Sequence, residues 1–266
     1  MKKQRVFITG ATGTMGLASL KKMLKDSDKQ DIVILSLDTE RDRKILKPYQ
    51  NKKGLKIIWG DLTDYDIVLK CVKGCDIILH IAAFVSPAAD YHPKQAMKIN
   101  YGSTRNLINA IYELGQENHT RFVYIGTVAE TGDRMPPIHW GRVGDPIKPS
   151  IYDYYAVSKV AAERLVIESG LRYWVSLRQT GIIGKAMSEI DDAIIFHNCF
   201  DNVLEYCSDR DSARAMRNLC TFFYDGRLDE SFLIGHPLFV EVVFGSLLFE
   251  HSFQLSRLRS AKRLTV

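Results

Sequence analysis

Hydrophobic positions along the chain form short unbroken runs, separated by longer stretches with helical periodicity. Strands are predicted at residues 5–9, 31–37, 55–59, 76–81, 121–125 and 173–177, and helices at 15–25, 41–46, 65–72, 96–114 and 154–168. The run Ile-Val-Ile-Leu at 32–35 is apolar at every position, which is typical of strands buried on both faces of a parallel sheet. The alternation predicts an α/β fold, a Rossmann-type doubly wound parallel sheet.

Two regions depart from this alternation. Residues 131–150 hold four of the eight prolines and predict a long ordered loop. Beyond Cys220 the alternation is lost, and the β-prone stretch 238–249 carries a single charge. Because such a stretch favours aggregation when exposed, we expect it to pack against the domain or to form a dimer contact.

Composition and charge exclude several classes of protein. The 266 residues are 46% hydrophobic and 25% charged, which excludes a disordered chain. The stretch 238–249 is shorter than the ~18–20 residues of a membrane span, so no membrane partner is expected. Five scattered cysteines predict neither a disulfide framework nor a metal site, and fit a cytoplasmic protein. Of the net charge of +5, residues 251–266 supply +4, and the absence of a basic stripe among aromatics predicts no nucleic-acid partner.

Three glycines follow the first strand directly, at i, i+3 and i+6, before the first helix. Glycines at this spacing permit a tight turn, let backbone N–H groups approach a pyrophosphate, and allow the helix to pack close to the strand. The positive end of the helix then favours the phosphates. The turn predicts a dinucleotide cofactor, NAD(P), in contact with Gly10, Thr12, Gly13, Thr14, Met15 and Gly16.

The end of the second strand selects between NAD and NADP. An acidic residue there binds the ribose 2′-hydroxyl of NAD, whereas a nearby arginine accommodates the 2′-phosphate of NADP. If Ser36 occupies the selecting position, Arg41 or Arg43 would bind the phosphate, but if Asp38 occupies it, NAD is preferred. The balance of these residues favours NADP.

A Tyr-x-x-x-Lys pair, Tyr155 and Lys159, lies on the helix predicted at 154–168. The i, i+4 spacing places both side chains on one helix face, where an ammonium lowers the pKa of a phenol and enables proton exchange with a substrate oxygen. Lys159 could also bind the ribose of the cofactor. Thr127, at the end of strand five, could donate a hydrogen bond to the same substrate oxygen. The same spacing at Tyr49 and Lys53 lies away from this predicted crevice.

Seven segments in order make the chain resemble the extended short-chain dehydrogenase/reductase family, also called the NAD-dependent epimerase/dehydratase family. They are the glycine turn at 9–16, Gly-Asp-Leu at 60–62, His-Ile-Ala-Ala at 80–83, Asn-Tyr-x-x-Thr-x-Asn-Leu at 100–107, Thr127, the Tyr155 and Lys159 motif, and Leu-Arg at 177–178. The resemblance implies Thr127, Tyr155 and Lys159 as a catalytic trio. It also implies a cofactor-binding role for Asp61, Leu62, Ala82, Ala83, Asn100, Tyr155 and Lys159.

Departures from the family pattern narrow the expected chemistry. Val128 and Ala129 stand where family dehydratases carry an acidic pair, so a 4,6-dehydratase is not expected. The run after Arg178 lacks the asparagine by which sugar epimerases hold a nucleotide sugar. The resemblance then implies reversible hydride transfer on a small hydroxyl or carbonyl substrate, with a nucleotide-sugar epimerase and a catalytically silent NAD(P)-binding protein as alternatives.

The remaining expectations concern the substrate and the domain division. Residues 1–184 are expected to form the NAD(P)-binding domain, and 185–266 a reduced substrate lobe with an unmatched tail. His139, Trp140 and Thr180 are the predicted substrate contacts. The helices at 96–114 and 154–168 could form the homodimer interface of related enzymes.

Overall fold

The structure, a computed structural model, describes residues 3–132, 146–184, 206–224 and 238–242. The strands are β1 (Gln4–Thr9), β2 (Gln30–Ser36), β3 (Leu55–Trp59), β4 (Ile77–His80), β5 (Arg121–Thr127), β6 (Tyr173–Gln179), β7 (Gly181–Ile183), β8 (Tyr206–Ser208) and β9 (Leu238–Val242). The α-helices are α1 (Thr14–Met23), α2 (Glu40–Leu46), α3 (Tyr65–Val72), α4 (Ala88–Tyr91), α5 (Pro93–Ala96), α6 (Gly102–Glu113), α7 (Tyr154–Ile167) and α8 (Asp209–Tyr224).

Seven parallel strands form the main sheet in the order β3-β2-β1-β4-β5-β6-β9. The six predicted strands are all present, and the predicted doubly wound fold is confirmed. The order reverses between β1 and β4, and ligands of such sheets bind at this switch point, beyond the carboxyl ends of the strands. β7 and β8 form a separate two-stranded parallel sheet.

The strands are apolar on both sides because each face of the sheet carries helices. On one face, Ile8, Val123 and Leu177 belong to a buried cluster with Leu20 of α1 and Met216 of α8. On the other face, residues of β1, β4 and β5 pack with α3, α6 and α7. Full burial of each large aliphatic side chain stabilises the fold by about 1.5–3 kcal/mol. The two packed faces explain the unbroken apolar runs of the sequence.

The segment beyond Cys220 contributes a strand, β9, although the strand–helix pattern of the sequence ends before it. β9 pairs with β6 in parallel register, from Val175 opposite Leu238 to Gln179 opposite Val242. The expectation that 238–249 associates with the domain is met for these five residues. α8, between β8 and β9, packs against α1, and Arg217 donates two hydrogen bonds to Asp26, of 2.5 and 2.7 Å.

The prediction of one continuous helix at 96–114 is wrong, because a π-helical turn interrupts it. The chain forms α5, then a π-helical turn at Met97–Tyr101, then α6. Asn100 lies in this turn with its side chain buried, bound to another part of the chain rather than to solvent. A π-turn widens the helix locally and is frequent at functional sites.

Some expectations fall on residues that the structure does not describe. His139 and Trp140 lie outside the described residues, as does most of the proline-rich loop. The division of the chain at residue 184 therefore stays a prediction. Within the described ranges, no helix is long and apolar enough to cross a membrane, and no group of three or more His, Cys, Asp or Glu side chains could hold a metal ion.

Candidate active site

The glycine turn is shaped by close backbone contacts that exclude side chains. Gly10 has φ +70°, and a Cβ there would lie 2.8 Å from both the N and Cα of Ala82. A Cβ on Gly16 would overlap the Gly10 carbonyl oxygen. That oxygen accepts a hydrogen bond from Gly13 N–H at 3.1 Å, which closes the turn.

Helix α1 begins at this turn without a side-chain cap. Gly13 is its N-cap residue, and among the described residues no side-chain cap binds the N–H groups of the first turn. These donors have no intrahelical partner, so they form a ready site for phosphate oxygens. The side of the turn is bordered by Gly184, where a Cβ would meet Thr14 Cγ2 at 2.5 Å. The cradle therefore fits a dinucleotide pyrophosphate.

His80 holds the segment that carries Ala82 against the turn. Its Nδ1 lies 2.9 Å from Thr9 Oγ1 and its Nε2 lies 3.0 Å from Thr104 Oγ1. Thr9 Oγ1 also accepts the N–H groups of Ile81 and Ala82, each at 3.1 Å. Burial lowers the pKa of His80 to about 3, with Lys159 acting in the same direction. His80 is thus a neutral core residue.

Asn100 ties the segment after β4 to helix α7. Its Oδ1 accepts Phe84 N–H at 2.7 Å, and its Nδ2 donates to Phe84 O at 3.0 Å and to Ser158 Oγ at 2.8 Å. Ser158 lies between Tyr155 and Lys159 on α7. Asn100 therefore links the segment after β4 to the helix that carries Tyr155 and Lys159.

Thr127 and Tyr155 meet at the carboxyl end of β5. Thr127 is the last residue of that strand, and its side chain lies beside the Tyr155 phenol. Asp153 caps α7 by accepting Ala156 N–H at 2.7 Å, which sets where Tyr155 enters the crevice. Burial is the largest cause that raises the pKa of Tyr155. The expected lowering of this pKa by Lys159 is not found.

Lys159 is directed into the protein rather than toward the phenol. Its Nζ donates to Ile125 O at 2.6 Å and lies 4.1 Å from the centre of the Tyr124 ring. Burial lowers the pKa of Lys159 to about 8, although Glu130 and Glu163 oppose this shift. The ammonium therefore stays largely protonated near neutral pH.

A buried acidic network beneath the trio was missed in the sequence. Glu130 is fully buried, its Oε1 accepts Thr127 N–H at 3.1 Å, and its Oε2 lies 3.3 Å from Arg178 Nε. Arg178 also binds Glu163, with Nη2 donating to Oε2 at 2.6 Å, and Ser176 donates to the same carboxylate. The signal was available, because Thr127-Val128-Ala129-Glu130 has the spacing of a capping box.

The cofactor-selecting region lies at the end of β2. Ser36 is the last residue of the strand and is buried, whereas Asp38 lies two residues beyond it and is exposed. Arg43 binds both carboxylate oxygens of Asp38 through Nε and Nη2, with Nη2 donating at 2.8 Å, and stacks 4.8 Å above Trp59. Arg41 extends outward and pairs with its neighbour Asp42 at 3.4 Å.

A groove of about 540 Å³ lies beside Arg43. It is lined by Glu40, Arg43, Lys44, Lys47, Gln50, Ile57 and Trp59.

The other predicted contacts border the same crevice. Asp61 follows β3, and its carboxylate accepts Thr63 N–H at 2.7 Å, while Leu62 O accepts Asn106 Nδ2 at 3.0 Å. Thr180 follows β6 and is buried, so it presents little surface to a substrate. Its neighbour Gln179 lies opposite Thr127 in the sheet and accepts a hydrogen bond from a residue of α8.

A glycine turn that opens onto an uncapped helix, at the switch point of a parallel sheet, defines a dinucleotide-binding α/β protein. The profile of the NAD dependent epimerase/dehydratase family matches residues 6–214. The chain therefore belongs to this family.

Curated relatives include 3 beta-hydroxysteroid dehydrogenase/Delta 5-->4-isomerases. The protein of vaccinia virus (strain Ankara) is 29% identical over 195 residues, which cover 67% of this chain and 52% of that protein. The protein of Mycobacterium tuberculosis (strain CDC 1551 / Oshkosh) is 29% identical over 211 residues, covering 76% and 52%. The chain thus spans about half the length of these curated relatives.

Solved structures share the fold. UDP-glucose 4-epimerase of Thermus thermophilus, in complex with NAD, has a TM-score of 0.69 at 20% identity, over 91% of this chain and 78% of that chain. DesIV, a dTDP-glucose 4,6-dehydratase of Streptomyces venezuelae, has a TM-score of 0.70 at 18% identity, over 91% and 76%.

Proposed function

We propose that the protein is an NAD(P)-dependent oxidoreductase that carries out reversible hydride transfer between a secondary alcohol and its ketone. The observation that carries this proposal is the meeting of Thr127 and Tyr155 at the carboxyl end of β5, on the same sheet edge as the glycine cradle. The relatives named as 3β-hydroxysteroid dehydrogenases suggest a ring hydroxyl as the reacting group.

The chain's own residues supply positioning and the proton. When bound, the nicotinamide cofactor supplies or accepts the hydride. Tyr155 donates its phenolic proton to the carbonyl oxygen during reduction and accepts it back during oxidation. Thr127 binds the same oxygen and stabilises the charge that develops on it. Lys159, buried and largely protonated, adds positive charge beneath the site.

We further propose that the cofactor is NADP. Ser36 ends β2 in the position that an acidic residue takes in NAD-binding folds, and Asp38 is already bound by Arg43. The stacked Arg43 guanidinium, beside a groove with Lys44 and Lys47, would receive a 2′-phosphate.

The test combines cofactor binding with turnover. The melting temperature should rise in the presence of a bound cofactor, and more with NADP than with NAD at equal concentration. A 3β-hydroxysteroid with oxidised cofactor should then produce absorbance at the nicotinamide band. Absence of a thermal shift with either cofactor would refute the proposal. A shift without turnover of any alcohol or ketone would favour the silent nucleotide-binding protein instead.

The 4,6-dehydratase alternative receives no support from the site geometry. Glu130 is the acid nearest to Thr127 along the chain, but it is fully buried against Arg178 rather than exposed to the crevice. An epimerase would retain oxidised cofactor and show no net change in nicotinamide absorbance, so the same assay separates it from the proposed dehydrogenase.

Assembly and location belong to the same proposal. We propose a homodimer through α6 and α7, supported by the exposed apolar side chains Tyr112, Val157 and Ile167 on these helices. Light scattering at micromolar concentration would show a mass twice that of the chain. A cytosolic location is supported by four buried cysteines that are free thiols.

A further inference from the structure

Two carboxyl groups and one guanidinium are enclosed beneath Thr127. Both carboxylate oxygens of Glu163 accept hydrogen bonds. Arg178 Nε is shared between the two oxygens at 3.2 Å each, Arg178 Nη2 donates to Oε2 at 2.6 Å, and Ser176 donates to Oε1. Both carboxyl side chains are fully buried. Arg178 therefore contacts both carboxyl groups, but its hydrogen bonds go to Glu163 and not to Glu130.

One carboxyl oxygen of Glu130 accepts a hydrogen bond, and the other has no hydrogen-bond partner. Oε1 accepts Thr127 N–H, whereas the buried Oε2 approaches Arg178 Nε at 3.3 Å without forming a hydrogen bond. A buried carboxylate with an unsatisfied oxygen is strongly destabilising. Glu163 is the other carboxylate at this arginine, and a protonated Oε2 of Glu130 could donate to it. Protonation would therefore satisfy the one oxygen that has no partner.

We propose that Glu130 is a positioning residue, a neutral carboxylic acid that accepts the Thr127 N–H, donates its O–H to Glu163, and so holds Thr127 beside Tyr155. The catalytic part of this proposal rests on the proposed function. Glu130 and Thr127 form a reciprocal capping box, in which the Thr127 hydroxyl accepts Ala129 N–H at 3.2 Å. Loss of the Glu130 side chain would release the turn that carries the Thr127 hydroxyl.

The charged and titratable groups facing Glu130 agree with this assignment. They are Tyr155, Lys159 and Glu163 of α7, Tyr124 of β5 and Arg178 of β6. Burial, followed by the charge of Glu163, raises the pKa of Glu130, while Lys159 and Arg178 oppose the rise. The pKa of Glu163 is lowered despite its burial, because Arg178, Glu130 and Ser176 bind its carboxylate.

The first test needs neither substrate nor cofactor. At pH 7 the infrared spectrum of the full chain should contain the carbonyl band of a protonated carboxylic acid, and Glu130→Gln should remove it. Glu113→Gln is the matched control, since Glu113 is a surface carboxylate that accepts the Tyr65 hydroxyl at 2.5 Å, and it should leave the band in place. A wild-type spectrum without the band, or a band that survives Glu130→Gln, would overturn the neutral state of Glu130.

The second test compares the two acids. A glutamine reproduces both hydrogen bonds of a protonated Glu130, so Glu130→Gln should change Tm by less than about 2 °C. Glu163→Gln leaves Arg178 without its buried counter-ion and should lower Tm by more than about 6 °C. Equal losses in the two variants would mean that Glu130 is charged, and would refute the proposal.

The third test addresses positioning. With a 3β-hydroxysteroid as the probe, Glu130→Ala should lower kcat at least about tenfold with KM for the cofactor unchanged, and Glu130→Gln should restore kcat. An unchanged kcat in Glu130→Ala would refute the positioning role. If the wild type turns over no steroid, the proposed function fails, while the infrared and Tm comparisons still decide the state of Glu130.

Discussion

The surroundings of Tyr155 oppose ionisation of its phenol. Burial is the largest cause that raises its pKa, and the neighbouring Thr127 side chain acts in the other direction. The phenol is therefore protonated at neutral pH in the absence of bound cofactor. A protonated phenol is the form that donates a proton to a carbonyl oxygen, so this state is prepared for the reductive direction.

Removal of this hydroxyl should abolish turnover while leaving cofactor binding intact. Tyr155→Phe deletes the proton donor and should lower kcat by about 10²–10⁴-fold. Tyr154→Phe is the matched control. The Tyr154 ring adjoins Tyr155 in sequence but is partly exposed, so this substitution should leave kcat unchanged. The measurements are steady-state kinetics and the NADP-induced thermal shift. Loss of the thermal shift in Tyr155→Phe would count against Tyr155 as the acid.

Cofactor preference should be reversible at the end of β2. Ser36→Asp places a carboxylate where a 2′-phosphate would lie, and should shift the ratio of Kd values toward NAD by at least about tenfold. Arg43→Ala should weaken NADP binding by a similar factor. Arg164→Ala, on the exposed side of α7, serves as the control. Calorimetric titration with both cofactors measures these ratios, and unchanged ratios in both variants would reject this pair as the selector.

At the level of secondary structure, helix α1 owes its position to Gly16. The Gly10 carbonyl occupies the place of the missing Cβ, so the helix starts unusually close to the turn. Gly16→Ala should move α1 away, lower Tm by several degrees and remove the cofactor-induced thermal shift. Gly102→Ala is the control, since a Cβ there would lie 4.0 Å from Met97 O, an ordinary contact distance. Normal cofactor binding by Gly16→Ala would contradict this account of the turn.

Sequence periodicity found most elements, and the exceptions have physical causes. The apolar runs located β1 to β6, because strands buried on both faces are mostly apolar. Periodicity did not reveal the π-turn, since Asn100 is polar yet directed inward to Phe84 and Ser158. Such a contact depends on residues distant in sequence. The short β7 and β8 are too brief for a periodic signal.

The candidate site was predictable only in part for a similar reason. The glycine turn and the Tyr155 and Lys159 pair are local patterns, and each could be read directly from spacing. The direction of the Lys159 side chain depends on Ile125 O, and the raised pKa of Tyr155 depends on burial. Neither dependence is visible in the spacing of the motif.

At the level of the whole molecule, acid stability should depend on His80. Its folded pKa of about 3 lies below the usual value, so the neutral form is favoured by folding. This contribution is complete above about pH 6.5 and is lost as the pH falls toward 3, by up to about 4–5 kcal/mol. His80→Asn removes the titration, so its stability should fall less over this interval. Urea unfolding of both proteins from pH 7 to 3 measures the difference, with His119→Gln as a surface control; equal slopes would exclude His80 as the source.

The pairing of β9 with β6 also sets an order of events during synthesis. Leu238 follows Gln179 by 59 residues, whereas the other six strands of the main sheet all lie within residues 4–179. At about 5–20 residues per second, a ribosome needs about 3–12 s to add this interval. During that time the outer edge of β6 has no partner and can template pairing with another chain. Nascent chains of this protein should therefore be most prone to association, and most in need of a chaperone, just before β9 is made.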